Sequence, residues 1–269
     1  LKVYIEFFEY LGNYSLIVDT YKAFAEDSGI DDETLSYASL ELGKLYYFSP
    51  YINSDIDNAQ TLFKRAAEHG SEEAKYYLAR IYLYERNDRP EALKVVEELH
   101  KAGNASGTYL LGKMAFNGWG VEKNEAYGIE LIQLAAQQGS THAFAQLGWH
   151  YMNGVGVEQN YEVAKEFLEK AVSSDGLEAK YAQFNLGWMH YNGLGVSKDY
   201  QKAMTWFKRS EARGFKDASS MLGKIYEEGG YGLNKDIELA LNYYRESDKN
   251  WGDVSRLDTL IEKEKIEDG

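Results

Sequence analysis

The chain has 269 residues, no cysteine, two prolines and a formal net charge of −14 at pH 7. A hydrophobic fraction of 44%, with 14% aromatic residues, is enough for a core and argues against wholesale disorder. Without cysteine there is no disulfide framework or cysteine nucleophile, and the acidic balance argues against nucleic acid as a partner.

The beginning of the chain indicates two short amphipathic helices. Residues 1–35 contain the stretches YIEFFEYLG and YSLIVDTYKAFAE, which we interpret as a degenerate leading helix pair. The chain opens at Leu1 rather than Met, which indicates that an upstream segment was removed. No apolar stretch approaches the roughly 20 residues of a membrane span, so no transmembrane segment is expected.

From residue 36 onward a nine-residue pattern recurs. It has a small residue at its start and a Leu followed by a central Gly. Its copies are ASLELGKLY (38–46), AKYYLARIY (74–82), GTYLLGKMA (107–115), AFAQLGWHY (143–151), AQFNLGWMH (182–190) and ASSMLGKIY (218–226). The second copy has Ala79 in place of Gly, and the central positions are 33–39 residues apart. We number these copies repeats 1 to 6 and count positions from the central residue.

A second recurring set of residues predicts a capped helix in every repeat. An Asp or Asn recurs at the same interval and predicts an N-cap, because its side-chain oxygen accepts an amide hydrogen of the first turn. These residues are Asp55, Asp88, Asn124, Asn160, Asp199 and Asp236. Apolar spacings of 3, 4 and 7 follow, and a glycine ends the helix at Gly70, Gly103, Gly139, Gly176 and Gly214. Each repeat is therefore predicted to be helix A, a loop, helix B and a glycine stop.

The loop between the two helices reads NGWGVEKN (117–124), NGVGVEQN (153–160) and NGLGVSKD (192–199). Its glycines resemble a phosphate-binding loop only superficially, because they follow a helix and lack the Lys-Ser/Thr ending. We interpret them as turns. The five histidines show no HExxH spacing, and no GxSxG elbow is present. The sequence therefore predicts no catalytic residues, no metal site and no cofactor.

This pattern resembles the Sel1-like repeat, a relative of the tetratricopeptide repeat with a longer internal loop. The resemblance covers residues 36 to about 249 and is strongest from 104 to 236. It implies an all-α fold, a right-handed α-α superhelix of about six helix pairs. We expect the pair in 1–35, the array in 36–249 and a C-terminal capping helix and tail in 250–269 to form one continuous solenoid. In the related fold, helix A lines the concave side.

Helical geometry divides helix A into two faces. At about 100° per residue, positions −5, −1 and +3 form the packing side, and −6, −3, +1 and +5 form the other side. The middle of the array places aromatic rings on that second side, where we predict a partner-binding groove. The predicted residues are Tyr109, Lys113, His142, Trp149, Tyr181, Phe184, Trp188 and Lys224. The alternative is that these rings touch the next helix A and belong to the core. The +5 residues Asn117, Asn153 and Asn192 are interpreted mainly as helix-end residues.

The resemblance implies a non-enzymatic scaffold or adaptor that binds a peptide, loop or helix of another protein. Two alternatives stay open, a glycan binder that uses the same rings and a regulatory repeat domain of a larger enzyme or receptor. Residues 101–214 carry 11 acids and 11 bases between acidic ends, which suits a polar-apolar partner with basic flanks. We expect a periplasmic or otherwise exported protein, with the cytoplasm as the alternative, because many bacterial relatives are exported.

Overall fold

The computed structural model describes residues 14–26, 29–48, 53–173, 178–229 and 232–247, together with residues 259 and 262. The regular elements of these residues are helices. The stretch YIEFFEYLG and almost all of the expected C-terminal capping helix lie outside them. The chain divides into two compact units, Leu1–Gln138 (unit 1) and Gly139–Gly269 (unit 2).

Unit 1 contains one leading helix and the first three repeats. Its helices are α1 (Tyr14–Glu26), α2 (Asp32–Phe48), α3 (Ile56–Glu68), α4 (Glu72–Arg80), α5 (Arg89–Lys101), α6 (Ala105–Asn117) and α7 (Glu125–Gln137). A π-helical turn, Ile81–Glu85, extends α4. Successive helices contact each other along the unit, and each predicted helix A contacts its own helix B.

Unit 2 contains repeats 4 to 6. Its helices are α8 (Thr141–Asn153), α9 (Tyr161–Ser173), α10 (Ala179–Asn192), α11 (Tyr200–Ala212), α12 (Lys216–Glu228) and α13 (Ile237–Ser247). Here too each helix contacts the next one in sequence. The predicted all-α repeat architecture is confirmed. Within the ranges given above, no helix is both long and apolar enough to cross a membrane.

The helix B start signals predicted from the sequence are confirmed in all six repeats. In each one the cap side chain accepts a hydrogen bond of 2.9–3.3 Å from the amide three residues later. The backbone amide of the cap also ties the loop to helix A, as where Asn124 donates to the Ala115 carbonyl at 2.9 Å. These bonds satisfy groups that a helix terminus would otherwise leave unpaired. The glycine stops have positive φ at Gly70, Gly103, Gly139 and Gly214, whereas Gly176 lies outside the described residues.

In the five repeats with a central glycine, the core lies where this glycine of helix A meets a large side chain of helix B. At Gly187, an added Cβ would lie 2.7 Å from the ring of Phe207. Trp206, the large residue one position earlier, is only half-buried. The fully buried residues are Phe63, Val96, Ile132, Leu168 and Phe207, each at 0–1% exposure. They lie four residues after a buried small residue, one helical turn along the same face.

The second glycine of the loop has a role that the turn interpretation did not include. A Cβ on Gly120 would lie 3.0 Å from Cβ of Arg89, the first residue of helix B in the preceding repeat. Gly195 repeats this relationship with Tyr161 at 2.5 Å. A side chain at either position would therefore push neighbouring repeats apart, in addition to disfavouring the positive φ.

Candidate functional site

Trp149, at position +1 of α8, is one of the two predicted binding residues whose large aromatic side chain is exposed. Its side chain is 39% exposed, and its ring meets the edge of the adjacent His150 imidazole at 5.2 Å. The carbonyl of Trp149 accepts a hydrogen bond from Asn153 Nδ2 at 2.8 Å. Asn153 therefore closes the helix end, as predicted, and the tryptophan ring stays on the surface.

Tyr181, at position −6 of α10, is also exposed, at 41%. Its ring lies edge-on against Phe215 with the centroids 5.1 Å apart, and the Lys180 ammonium lies 5.2 Å above it. Phe215 precedes α12, so this contact ties the start of repeat 5 to repeat 6. The exposed part of Tyr181 adds to the aromatic surface that helices A present in unit 2.

Phe184 and Trp188 lie on the same stripe of α10 but are half-buried. Phe184 packs on Phe207 and Phe215, with centroids 5.4 and 5.0 Å away. Trp188 packs against two core clusters and lies 6.5 Å from Phe184. The expectation that packing within one repeat does not need these rings is corrected for Phe184, because Phe207 belongs to helix B of the same repeat. The alternative, that the rings pack along the array, describes Trp188, which packs against two core clusters. Phe184 and Tyr181 pack on the same ring, that of Phe215.

The end of the α10 stripe is a polar cluster. Tyr191 stacks on Tyr200 at 5.0 Å, and both phenols donate hydrogen bonds of 2.7 Å to the Glu228 carboxylate. Burial opposes ionisation of Glu228, but the two phenol hydrogen bonds outweigh it and lower the pKa of this carboxyl group. Burial, followed by the bond to Glu228, raises the pKa of Tyr191. The predicted binding residue Lys224 belongs to this cluster, 5.4 Å above the Tyr191 ring and 4.0 Å from Glu228.

His142, at position −6 of α8, is half-buried. Its Nε2 lies 3.6 Å from Oε1 of Glu178, the residue that precedes α10. This imidazole therefore joins two successive helices A instead of standing open on their surface. Among the described residues, no group of three or more His, Asp or Glu side chains could hold a metal ion.

The two predicted residues in unit 1 have different surroundings from those in unit 2. Tyr109, at position −3 of α6, is only 6% exposed, so the expectation of an open position there is corrected. Lys113, at +1, is half-buried among aromatic rings. Its ammonium donates a hydrogen bond to Tyr84 Oη at 3.0 Å and lies 5.8 Å from the Trp119 ring.

Two exposed aromatic residues at position +5 were not predicted, because the residues at +5 were interpreted mainly as helix-end residues. Phe48 and Tyr84 occupy +5 in repeats 1 and 2, with 37% and 42% exposure. Tyr84 lies in the π-helical turn after α4, and the following loop lacks the glycine pair. The available signal was the change from Asn to an aromatic residue at +5 in the repeats without glycine loops.

Comparisons with known proteins identify the repeat. A family model described as Sel1 repeat matches residues 36–71, 105–140, 142–175, 180–215 and 216–247, which is more than half of the chain. The repeat with Ala79 and the π-helical turn falls between the matched segments. Mouse protein sel-1 homolog 2 is 31% identical over 201 residues, covering 71% of this chain and 29% of the relative. The ERAD-associated E3 ubiquitin-protein ligase component HRD3 of Candida glabrata is 29% identical over 165 residues, covering 57% of this chain and 18% of HRD3.

Solved structures show the same fold. A Sel1 repeat protein from Oxalobacter formigenes aligns with a TM-score of 0.66 and 23% identity, covering 92% of this chain and 100% of that one. The protective antigen c5321 of uropathogenic Escherichia coli aligns with a TM-score of 0.55 and 30% identity, covering 85% of this chain and 48% of c5321. The chain spans less than a third of the length of the two curated relatives named above.

Proposed function

The chain belongs to the Sel1 repeat family, and from this premise we propose that it is a non-enzymatic scaffold that binds a segment of a partner protein. The observation that carries the proposal is the exposure of Trp149 and Tyr181, at 39% and 41%, on consecutive helices A of unit 2. Large aromatic residues are typical anchors of protein interfaces. HRD3, one of the relatives, is described as a component of a ligase, which fits a role in an assembly.

The free energy available from these rings is large enough to matter for binding. A tryptophan side chain can bury about 200 Å², so covering the exposed part of Trp149 is worth about 2 kcal/mol. Tyr181 packs on Phe215, which also packs on Phe184, and a ring held in this way loses less conformational entropy when a partner binds. A rigid aromatic surface of this kind suits an apolar segment of a protein better than a charged one.

Site-specific crosslinking tests the proposal. The photoreactive amino acid p-benzoylphenylalanine is placed at residue 149, at residue 181 or at residue 127, in cells of the organism that encodes the chain. Tyr127 is the matched control, because it is 46% exposed but belongs to helix B of repeat 3. We expect the same protein to be crosslinked from 149 and 181 and not from 127. Equal crosslinking from all three positions, or none from 149 and 181, contradicts the proposal.

A glycan ligand would give a different result. Sugar rings stack on exposed tryptophan, so a cell-wall glycan would change the intrinsic fluorescence of Trp149 in titrations of the purified chain. We expect that titration with glycans does not change the fluorescence of the unaltered chain in a saturable way. Trp149→Ala is the control, because a change caused by a glycan on Trp149 would be lost in this variant. A saturable change that is lost in Trp149→Ala, without a specific protein crosslink, would show that the ligand is a glycan and not a protein.

A further inference from the structure

The Lys113 ammonium in unit 1 is held by aromatic rings. It lies 5.3 Å from the ring centroid of Tyr84 and 5.8 Å from those of Tyr109 and Trp119. It donates one hydrogen bond, to Tyr84 Oη at 3.0 Å. The Tyr84 and Trp119 rings are themselves in edge-to-face contact at 6.1 Å. The cation is therefore fixed in position while part of it stays accessible to solvent.

The same position in repeat 1 shows what Lys113 lacks. Lys44 is paired with two carboxylates of its own chain, those of Glu41 at 2.8 Å and Glu73 at 2.7 Å. In the part of the chain that the structure describes, the ammonium of Lys113 contacts rings and a phenol oxygen but makes no ion pair. The Lys113–Tyr84 hydrogen bond is exposed to solvent, so a carboxylate of another protein can reach this ammonium.

The surroundings are those of a binding hot spot. Tyr84 is 42% exposed, and it is carried by the π-helical turn, a feature that often marks functional positions in helices. A fixed cation loses little side-chain freedom when an anion binds to it, and the adjacent rings can cover apolar neighbours of that anion. The charge and the rings together define the chemistry of the complementary segment.

We propose that Lys113 anchors an Asp or Glu side chain of the partner protein, with apolar neighbours of that acid lying on Tyr84 and Trp119. This inference rests on the proposed function and adds the chemistry of the partner at unit 1. The carboxylate takes the place that Glu41 and Glu73 fill at Lys44. Unit 1 thus recognises an acidic-apolar segment, whereas the unit 2 rings Trp149 and Tyr181 carry no such charge requirement.

Peptide selection on the full chain tests the inference. A phage library of random peptides is first depleted on Lys113→Met, which keeps the apolar stem, and then selected on the unaltered chain. Enriched peptides are synthesised with their acid intact or replaced by its amide. Their affinities are measured on the unaltered chain, on Lys113→Met and on Lys94→Met, an exposed lysine of α5 that serves as the control. A parallel selection omits the depletion step, and the affinities of its peptides are measured on the unaltered chain and on Trp149→Ala.

We expect the depleted selection to yield peptides with an Asp or Glu next to apolar residues. Replacing that acid should weaken binding about tenfold on the unaltered chain and on Lys94→Met, and not at all on Lys113→Met. Enriched peptides without an acid, an acid effect that persists in Lys113→Met, or no enriched peptides after depletion would each overturn the inference. The peptides from the selection without depletion separate this inference from the proposed function. If they bind Trp149→Ala more weakly than the unaltered chain, the proposed function stands even when the inference about Lys113 fails. If they bind both chains equally, the proposed function fails as well.

Discussion

Gly187 and Phe207 are in closer contact than any side chain at position 187 would allow, since an added Cβ would lie 2.7 Å from the phenyl ring. The contact joins helix A to helix B of repeat 5, and Phe207 is completely buried. Gly43 and Phe63 make the same contact in repeat 1, at the same distance. The close approach of the two helices is therefore a property of the repeat and explains the glycine at its centre.

Gly187→Ala should destabilise the chain by about 1–3 kcal/mol, because a buried phenyl ring in a filled core must move to admit a methyl group. Thermal unfolding followed by circular dichroism measures the effect. Gly43→Ala is the matched variant and should cost a similar amount. A Gly187→Ala chain as stable as the unaltered one would show that the two helices can separate freely at this point.

Glu228→Gln tests the polar cluster at the end of α10. The carboxylate accepts from Tyr191 and Tyr200 at 2.7 Å each, whereas an amide has one oxygen to accept with. We expect a loss of about 1–2 kcal/mol in the free energy of unfolding, reduced by screening because the side chain is 36% exposed. Urea unfolding gives the value. Glu169→Gln, which changes a surface carboxylate of α9, should have almost no effect, and equal losses in the two variants would argue against the cluster.

His150 gives the stability of unit 2 a pH dependence. The imidazole is buried, with Nδ1 2.6 Å from the Val155 carbonyl, and burial lowers its pKa below the ordinary value of 6.5. Below about pH 6.5 the imidazole of the unfolded chain binds a proton that the buried imidazole of the folded chain does not yet bind. The contribution of His150 to stability is therefore full above about pH 6.5 and is lost as the pH falls from there through the folded pKa. His150→Asn keeps a donor for the carbonyl and cannot titrate.

Unfolding midpoints measured between pH 7 and pH 5 test this dependence. We expect the decrease on acidification to be smaller in His150→Asn than in the unaltered chain. It should not vanish, because burial also lowers the pKa of His190. Identical pH slopes in the two chains would show that His150 does not contribute to the dependence.

The sequence predicted those features that depend on neighbouring residues in the chain. The six helix B caps and the glycine stops follow from short spacings along the chain. The loop glycines were recognised as turns for the same reason. Their contact with the preceding repeat was not predicted, because Gly195 and Tyr161 are far apart in sequence.

The exposure of each ring was not predicted, because it depends on what the next repeat provides and the sequence pattern was read one repeat at a time. Trp149 and Trp188 occupy the same position of successive helices A, yet only Trp149 is exposed. Trp188 packs against the cluster that contains Met221, at position −2 of the next helix A. The equivalent residue after Trp149 is the polar Asn185. A sequence comparison of position −2 with the preceding +1 would have indicated this difference.

The affinity of the purified chain for its crosslinked partner tests the central claim most directly. Trp149→Ala should leave the chain folded but less stable by about 1–3 kcal/mol, because the residue is 39% exposed and the rest of it is covered by its own chain. It should weaken binding about tenfold or more, as expected for an anchoring tryptophan, while Tyr127→Ala changes the affinity by less than about twofold. A folded Trp149→Ala chain that binds the partner as tightly as the unaltered chain would contradict the account.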